Sequence, residues 1–159
     1  MVAVEYKYKN KRTDAYMDKY NHPGIYAIYI DGVLVYIGKS HNMANRISQH
    51  LTCIKNPKSA SKHSLHRYLI LNQAHNEGYT ITFDVVYYAN EVEPMELDKK
   101  LAGLEVSCLT KYKPALNYYI NPKTKNNSAY TIKLKDILKL ERKEIRSAYQ
   151  PQLGITKSK

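Results

Sequence analysis

Apolar residues recur at two different periods along the 159-residue chain, and the changes of period mark out its elements. Gly24-Ile25-Tyr26-Ala27-Ile28-Tyr29-Ile30 and Val33-Leu34-Val35-Tyr36-Ile37-Gly38 are β-rich runs about Asp31-Gly32, a pattern that predicts a hairpin. Tyr79 to Tyr88 alternates, with Ile81, Phe83, Val85 and Tyr87 on one side, and predicts a third strand. Elsewhere the period is helical. Asn42 is the expected N-cap of a helix reaching about Thr52, with Met43, Ile47 and Leu51 at i, i+4 and i+8 on one face. A second helix is predicted from about Ser64 to Asn76, stopped by Gly78. Pro94 opens a third, carrying Leu97, Leu101, Leu104, Cys108 and Leu109, which must end before Pro114. The fold class is therefore α+β, a small antiparallel sheet with helices packed on it.

The two ends of the chain read differently. A Tyr/Lys-rich leader, Glu5 to Tyr20, ends in the turn signal His22-Pro23-Gly24. After a solvated loop from Asn121 to Ser128, Leu134, Ile137, Leu138, Glu141, Ile145 and Tyr149 fall at helical spacing in a basic amphipathic stretch, and disorder is expected beyond it. The expected organisation is a leader over 1–22, one domain over 23–120 and a basic C-terminal helical extension over 121–159.

Composition adds a partner. Lys plus Arg exceed Asp plus Glu by 25 to 14, a formal charge of +11, which should seek polyanions. The charge is segregated. Gly32 to Asn76 holds six Lys or Arg (Lys39, Arg46, Lys55, Lys58, Lys62, Arg67) and five of the six His with no acid, whereas Glu77 to Glu105 holds seven acids against Lys99 and Lys100. From Asn121 onward ten Lys or Arg face three acids, 10 − 3 = +7. Sixteen Tyr against one Phe and no Trp put a hydroxyl on nearly every ring. Cys53 and Cys108 form no metal-ligand spacing and no disulfide framework. No 18-residue apolar run occurs and the first residues are charged almost at once, so the expectation is a soluble cytoplasmic protein without a membrane partner.

The hairpin register decides where two tyrosines point. With a two-residue Asp31-Gly32 turn, Ile30 pairs with Val33, Tyr26 with Ile37, and Tyr26 and Tyr36 take opposite faces; a three-residue loop would set Tyr26 opposite Tyr36 on one face. Both can equally be ordinary strand tyrosines. Arg46 and His50, at i and i+4, share a helix face beside the apolar stripe, and Lys39 follows the second strand at the same end of the sheet. Glu105, flanked by Leu101, Leu104, Cys108 and Leu109, falls at the margin of an apolar face, where a carboxylate needs a partner: a metal, tyrosine hydroxyls or Arg46. Asn117 carries no signal by itself.

Taken together, Gly24-Ile25-Tyr26, Tyr36-Ile37-Gly38-Lys39-Ser40, Arg46, Glu105 and Asn117 occur in the order of the GIY-YIG nuclease family, and over about Pro23 to Tyr119 the chain resembles that family. Arg46-x-x-x-His50 and His63-Ser64 are similar to the arrangement in its homing endonucleases; Gly103-Leu104-Glu105 with Lys113-Pro114-Ala115-Leu116-Asn117 is similar to its short stand-alone phage endonucleases. The resemblance implies a three-stranded antiparallel sheet and hydrolysis of DNA phosphodiesters with one divalent cation, Mg²⁺ or Mn²⁺, held by Glu105. It implies that Tyr26 activates or positions the attacking water with help from Tyr36, that Arg46 stabilises the phosphate in the transition state, and that Lys39 and His50 assist. The DNA contacts it implies are Lys39, Arg46, Lys58, Lys62, His63 and Asn117. A phage or restriction-type enzyme acting as a dimer or tetramer would cut both strands. The rival is a non-catalytic nucleic-acid-binding protein on a nuclease scaffold, since phosphate affinity needs only Lys and Arg.

Overall fold

The computed structural model describes residues 14–118 together with 134, 135, 137 and 138. Helix α1 (Asp14–Tyr20) leads into strand β1 (Gly24–Ile30), the Asp31-Gly32 turn and strand β2 (Val33–Ser40). Helix α2 (Met43–Lys55), a 3₁₀ turn (Pro57–Ser59), helix α3 (Leu65–Asn76), strand β3 (Ile81–Tyr88), helix α4 (Leu97–Tyr112) and helix α5 (Ala115–Tyr118) follow. The sheet is three-stranded and antiparallel in the order β2-β1-β3. This is the α+β architecture that the apolar pattern predicts, with helices on both faces.

The uninterrupted apolar run of β1 has a simple cause: β1 is the central strand, buried at all seven positions because both faces are covered. Tyr26, Ile28 and Ile30 pack with Met43, Ala44, Ile47 and Ile54 of α2 and Tyr68, Leu71 and Ala74 of α3. Ile25, Ala27 and Tyr29 pack on the opposite face with Leu101, Cys108 and Tyr112 of α4.

The hairpin follows neither simple register over its whole length. Asp31 and Gly32 have φ of 48° and 75°, the pair of positive values a two-residue type I′ turn requires, and Ile30 pairs with Val33. Tyr29 then pairs with Leu34 but Ile28 with Tyr36, so Val35 is an extra residue, a β-bulge. Val33, Val35 and Tyr36 accordingly all join the α2/α3 face, and Tyr36 ends up on the same face as Tyr26, one diagonal step away, while Gly38 lies opposite Tyr26.

Helix α2 begins where expected, with the Asn42 side chain accepting from Asn45 N. Helix α3 stops before Gly78, whose φ is 84°. Helix α4 starts at Leu97 rather than at Pro94, and ends before Pro114 with Lys113 in the left-handed region at φ 42°. The leader contributes structure the pattern did not predict: Tyr20 of α1 is buried in the core and its hydroxyl donates to the Phe83 carbonyl at 3.0 Å. Of the amphipathic stretch Leu134–Tyr149, residues 134, 135, 137 and 138 are helical, and Leu134, Ile137 and Leu138 join the α2/α3 core. The loop 121–128, the rest of that stretch and the last residues lie outside the described residues. Cys53 and Cys108 are both free, and no described helix is long and apolar enough to cross a membrane.

Candidate active site

Under α2 and α3 the sheet carries a polar cluster within its apolar core. The Tyr26 hydroxyl lies 2.6 Å from His50 Nε2, and the Tyr68 hydroxyl 2.7 Å from His50 Nδ1, so one imidazole joins two phenols. Strand β1 supplies Tyr26, α2 supplies His50 and α3 supplies Tyr68. The Tyr36 ring completes the group, with its centroid 6.3 Å from that of Tyr26 and 5.7 Å from that of His50. Both glycines of the two motif triplets are needed for these approaches. A Cβ on Gly38 would collide with the Tyr26 hydroxyl and stand 2.9 Å from Tyr36 Cε1; one on Gly24 would collide with the Tyr87 carbonyl oxygen and crowd Met43 Cε at 2.9 Å.

Two guanidinium groups border the cluster. Arg46 Nε donates to the Tyr26 hydroxyl at 3.4 Å, and its Nη1 to Gln49 Oε1 at 2.9 Å. Arg67 places its Cζ 4.4 Å from the centroid of the Tyr36 ring and 5.0 Å from that of Tyr68.

Burial and these charges set the protonation of the cluster. His50 is fully buried, and burial, then Arg46 and Arg67, hold its pKa well below the ordinary 6.5, so it is neutral. A neutral imidazole has one N–H and one lone pair, so the chain Tyr26–His50–Tyr68 has a direction: one phenol donates to the ring and the other accepts from it. Tyr26 is likewise fully buried, and burial, with Tyr36 adding, raises its pKa well above 10.0 despite the opposing pull of Arg46 and Arg67. Tyr68 is raised for the same first reason, against Arg67 and Arg46.

The remaining candidate residues are not gathered here. Lys39 Nζ and Glu105 Oε2 lie 3.4 Å apart, and Lys39 pairs with Ile25, a residue of the α4 face. Lys39 therefore partners Glu105 instead of the tyrosines, and the carboxylate partner is neither a tyrosine hydroxyl nor Arg46. The Tyr/His/Arg cluster and the Lys39–Glu105 pair flank edge strand β2 from its two sides. Asn117 clamps that edge: its Oδ1 accepts from Ile37 N and its Nδ2 donates to Ile37 O, both at 2.8 Å. Lys58, Lys62 and His63 are exposed on the connection between α2 and α3. His50, by contrast, is not the solvated helix residue its neighbourhood to Arg46 would allow.

Nothing in the residue order marks Arg67 and Tyr68 as site residues. The available signal was the spacing Tyr68, Leu71, Ala74, which puts Tyr68 on the inner face of α3; nothing in the order of residues says that this face meets His50.

A tyrosine pair on a three-stranded antiparallel sheet, with an arginine and a histidine on the following helix, is the arrangement that resemblance to the GIY-YIG nucleases implies. No family model matches the chain, and no curated protein does. Among solved structures it is similar to the GIY-YIG N-terminal endonuclease domain of UvrC from Thermotoga maritima bound to magnesium, its catalytic divalent cation, at 23% identity and a TM-score of 0.36 over 62% of this chain and 86% of that one. It is also similar to EndoII of bacteriophage T4, at 22% identity and a TM-score of 0.41 over 59% of this chain and 72% of that one.

Proposed function

We propose that this chain is a divalent-metal-dependent DNA endonuclease of the GIY-YIG type. The observation that carries the reading is the buried Tyr26–His50–Tyr68 chain bordered by Arg46, with Tyr36 beside it, Tyr26 and Tyr36 coming from the two triplets that carry the family resemblance.

Glu105 suits a hard cation such as Mg²⁺ or Mn²⁺. It is an oxygen donor at a partly open position, its side chain 22% exposed, and its ion pair to Lys39 at 3.4 Å is long. Glu105 would hold the cation as the one protein carboxylate, with water and phosphate oxygens completing the shell; among the described residues no three His, Cys, Asp or Glu cluster as a metal site. A cation held by Glu105 would supply positive charge to a phosphate lying across the β2 edge, which Arg46 reaches from the other side, and to its leaving oxygen. The protein's own part is positioning and electrostatics. Arg46 moves its weak 3.4 Å bond from the Tyr26 hydroxyl to a phosphate oxygen and stabilises the charge that builds there. The freed hydroxyl then orients the attacking water. A phenol that holds its proton so firmly suits this role better than storing a charge, and neutral His50 keeps its ring in place. Water adds to phosphorus, the P–O3′ bond breaks, and the water's proton ends on the 3′ oxygen. Lys39 answers the charge of Glu105 when no cation does. Lys58, Lys62 and His63 contact the DNA backbone beside the site. Cutting both strands takes two such sites, so a homo-oligomer on DNA belongs to the same reading.

The test is Mg²⁺-dependent nicking of supercoiled plasmid. Tyr26→Phe and Glu105→Ala should each lower the rate by two orders of magnitude or more, about 3 kcal/mol of transition-state stabilisation, with the fold intact by circular dichroism. Undiminished cutting by Glu105→Ala would sink the metal assignment. One observation favours the rival, a binding protein without activity: Tyr26 is fully covered and Glu105 is paired with Lys39. That reading expects DNA binding and no cleavage at any Mg²⁺ or Mn²⁺ concentration.

A further inference from the structure

Two arginines reach the tyrosine cluster, and the family resemblance accounts for one. Among the described residues neither Arg46 nor Arg67 forms an ion pair, the three that occur being Lys19–Asp84, Lys39–Glu105 and His41–Asp98. The sequence offers no acid anywhere between Gly32 and Asn76. Arg67 is half-buried, its Nε–H is enclosed without a hydrogen-bond acceptor, and its Cζ lies over the rings of Tyr36 and Tyr68, 4.4 and 5.0 Å from their centroids. A cation withdrawn from water without a counter-charge is costly, and burial beside aromatic faces replaces only part of its hydration. The two rings also fix the guanidinium fork before any ligand arrives, which suits two-point contact with phosphate.

We infer that Arg67 is a second phosphate-binding residue, gripping a backbone phosphate of the DNA strand beside the one that Arg46 engages. The inference rests on the proposed function for the identity of the ligand. The rings of Tyr36 and Tyr68 are its platform, and the incoming phosphodiester supplies the counter-charge that the fold withholds. Tyr68 then has two neighbours to serve, His50 through its hydroxyl and Arg67 through its ring, which couples phosphate binding to the tyrosine–histidine chain.

The experiment measures binding of a short fluorescein-labelled DNA duplex across a salt series in EDTA, so that no cleavage is needed, and plasmid nicking with Mg²⁺ in parallel. Arg67→Met keeps the length and apolar stem and removes the charge. It should weaken binding on the order of tenfold at low salt and reduce the slope of log K against log salt by about one. Arg67→Lys should keep the slope and lower the nicking rate, because it keeps the charge and loses the fork. Wild-type affinity and slope in a folded Arg67→Met would overturn the inference, leaving Arg67 as packing. Should Arg67→Met fail to fold by thermal melting, Arg67→Lys decides: unchanged nicking counts against the inference, slowed nicking at an unchanged slope supports it. A wild-type protein that binds no duplex overturns it too. Altered binding by Arg67→Met in a protein that never cuts DNA would leave the arginine assignment standing and remove the enzyme.

Discussion

His50 shows how one side chain organises its surroundings. Its two ring nitrogens each meet a tyrosine hydroxyl, at 2.6 and 2.7 Å, so every polar atom of a fully buried imidazole is satisfied. Removing one partner leaves a nitrogen orphaned in the core. Tyr68→Phe should therefore cost about 1–3 kcal/mol, the usual penalty for a buried polar group without a partner, read as a lowered urea midpoint at unchanged m-value. An unchanged midpoint would mean that Nδ1 finds another partner. At this scale the sequence was legible where chemistry is local: Tyr26, Tyr36 and Arg46 stand out because the strands and the helix that hold them are adjacent along the chain. Tyr68 and Arg67 escaped because their partners come from other elements. The abundance of tyrosine also gains a reason, since Tyr16, Tyr20 and Tyr88 donate to the carbonyls of Ala44, Phe83 and Lys19 as well as packing.

Among the elements, β2 carries the most. The Val35 bulge turns Tyr36 to the face of Tyr26, and no glycine or polar residue marks it in a continuous apolar run, which is why neither plain register described the hairpin. Helices α2 and α3 are legible to within a few residues because Asn42 and Gly78 punctuate them, whereas the Tyr and Lys content of α1 hides the inward-facing Tyr16 and Tyr20 and gives it the look of a leader. β2 is also a sheet edge, with outward backbone groups at Ile37 that need partners. Asn117, brought there by α5 after the left-handed Lys113, provides both. Asn117→Ala should cost about 2 kcal/mol, two net hydrogen bonds at about 1 kcal/mol each, in urea unfolding. Metal-free DNA affinity of the folded variant reports on the DNA contact separately: wild-type affinity would confine Asn117 to the sheet edge, and weakened affinity would give it both roles.

Across the molecule the segregated charge acquires a geometry. The acid-free stretch from Gly32 to Asn76 contains α2 and α3, on the face of Tyr26 and His50, while the acid-rich stretch from Glu77 to Glu105 contains edge strand β3 and the first half of α4, the helix on the other face. Positive charge is thus concentrated beside the buried polar cluster, and burial first, then Arg46 and Arg67, hold His50 neutral. The cost appears as a pH dependence of stability with two limbs. His50 has a folded pKa well below 6.5, so as pH falls through 6.5 the unfolded chain takes up a proton that the folded chain refuses, and stability present above that pH is lost. Tyr26 has a folded pKa well above 10.0, so as pH rises through 10.0 the unfolded chain releases a proton that the folded chain keeps, and stability is lost again. The acid limb should have a slope of up to about 1.4 kcal/mol per pH unit for its one proton, and the alkaline limb, which Tyr20 and Tyr68 share with Tyr26, should be steeper. Urea unfolding should give a plateau from above pH 6.5 to about pH 9, where the Cys108 thiol, raised by burial, adds to the alkaline loss. His50→Gln, which retains one donor and one acceptor but cannot titrate, should flatten the acid limb while leaving the alkaline one; if wild type and His50→Gln decline in parallel below pH 6.5, the acid limb belongs to another group and the buried neutral imidazole is not what limits the fold there.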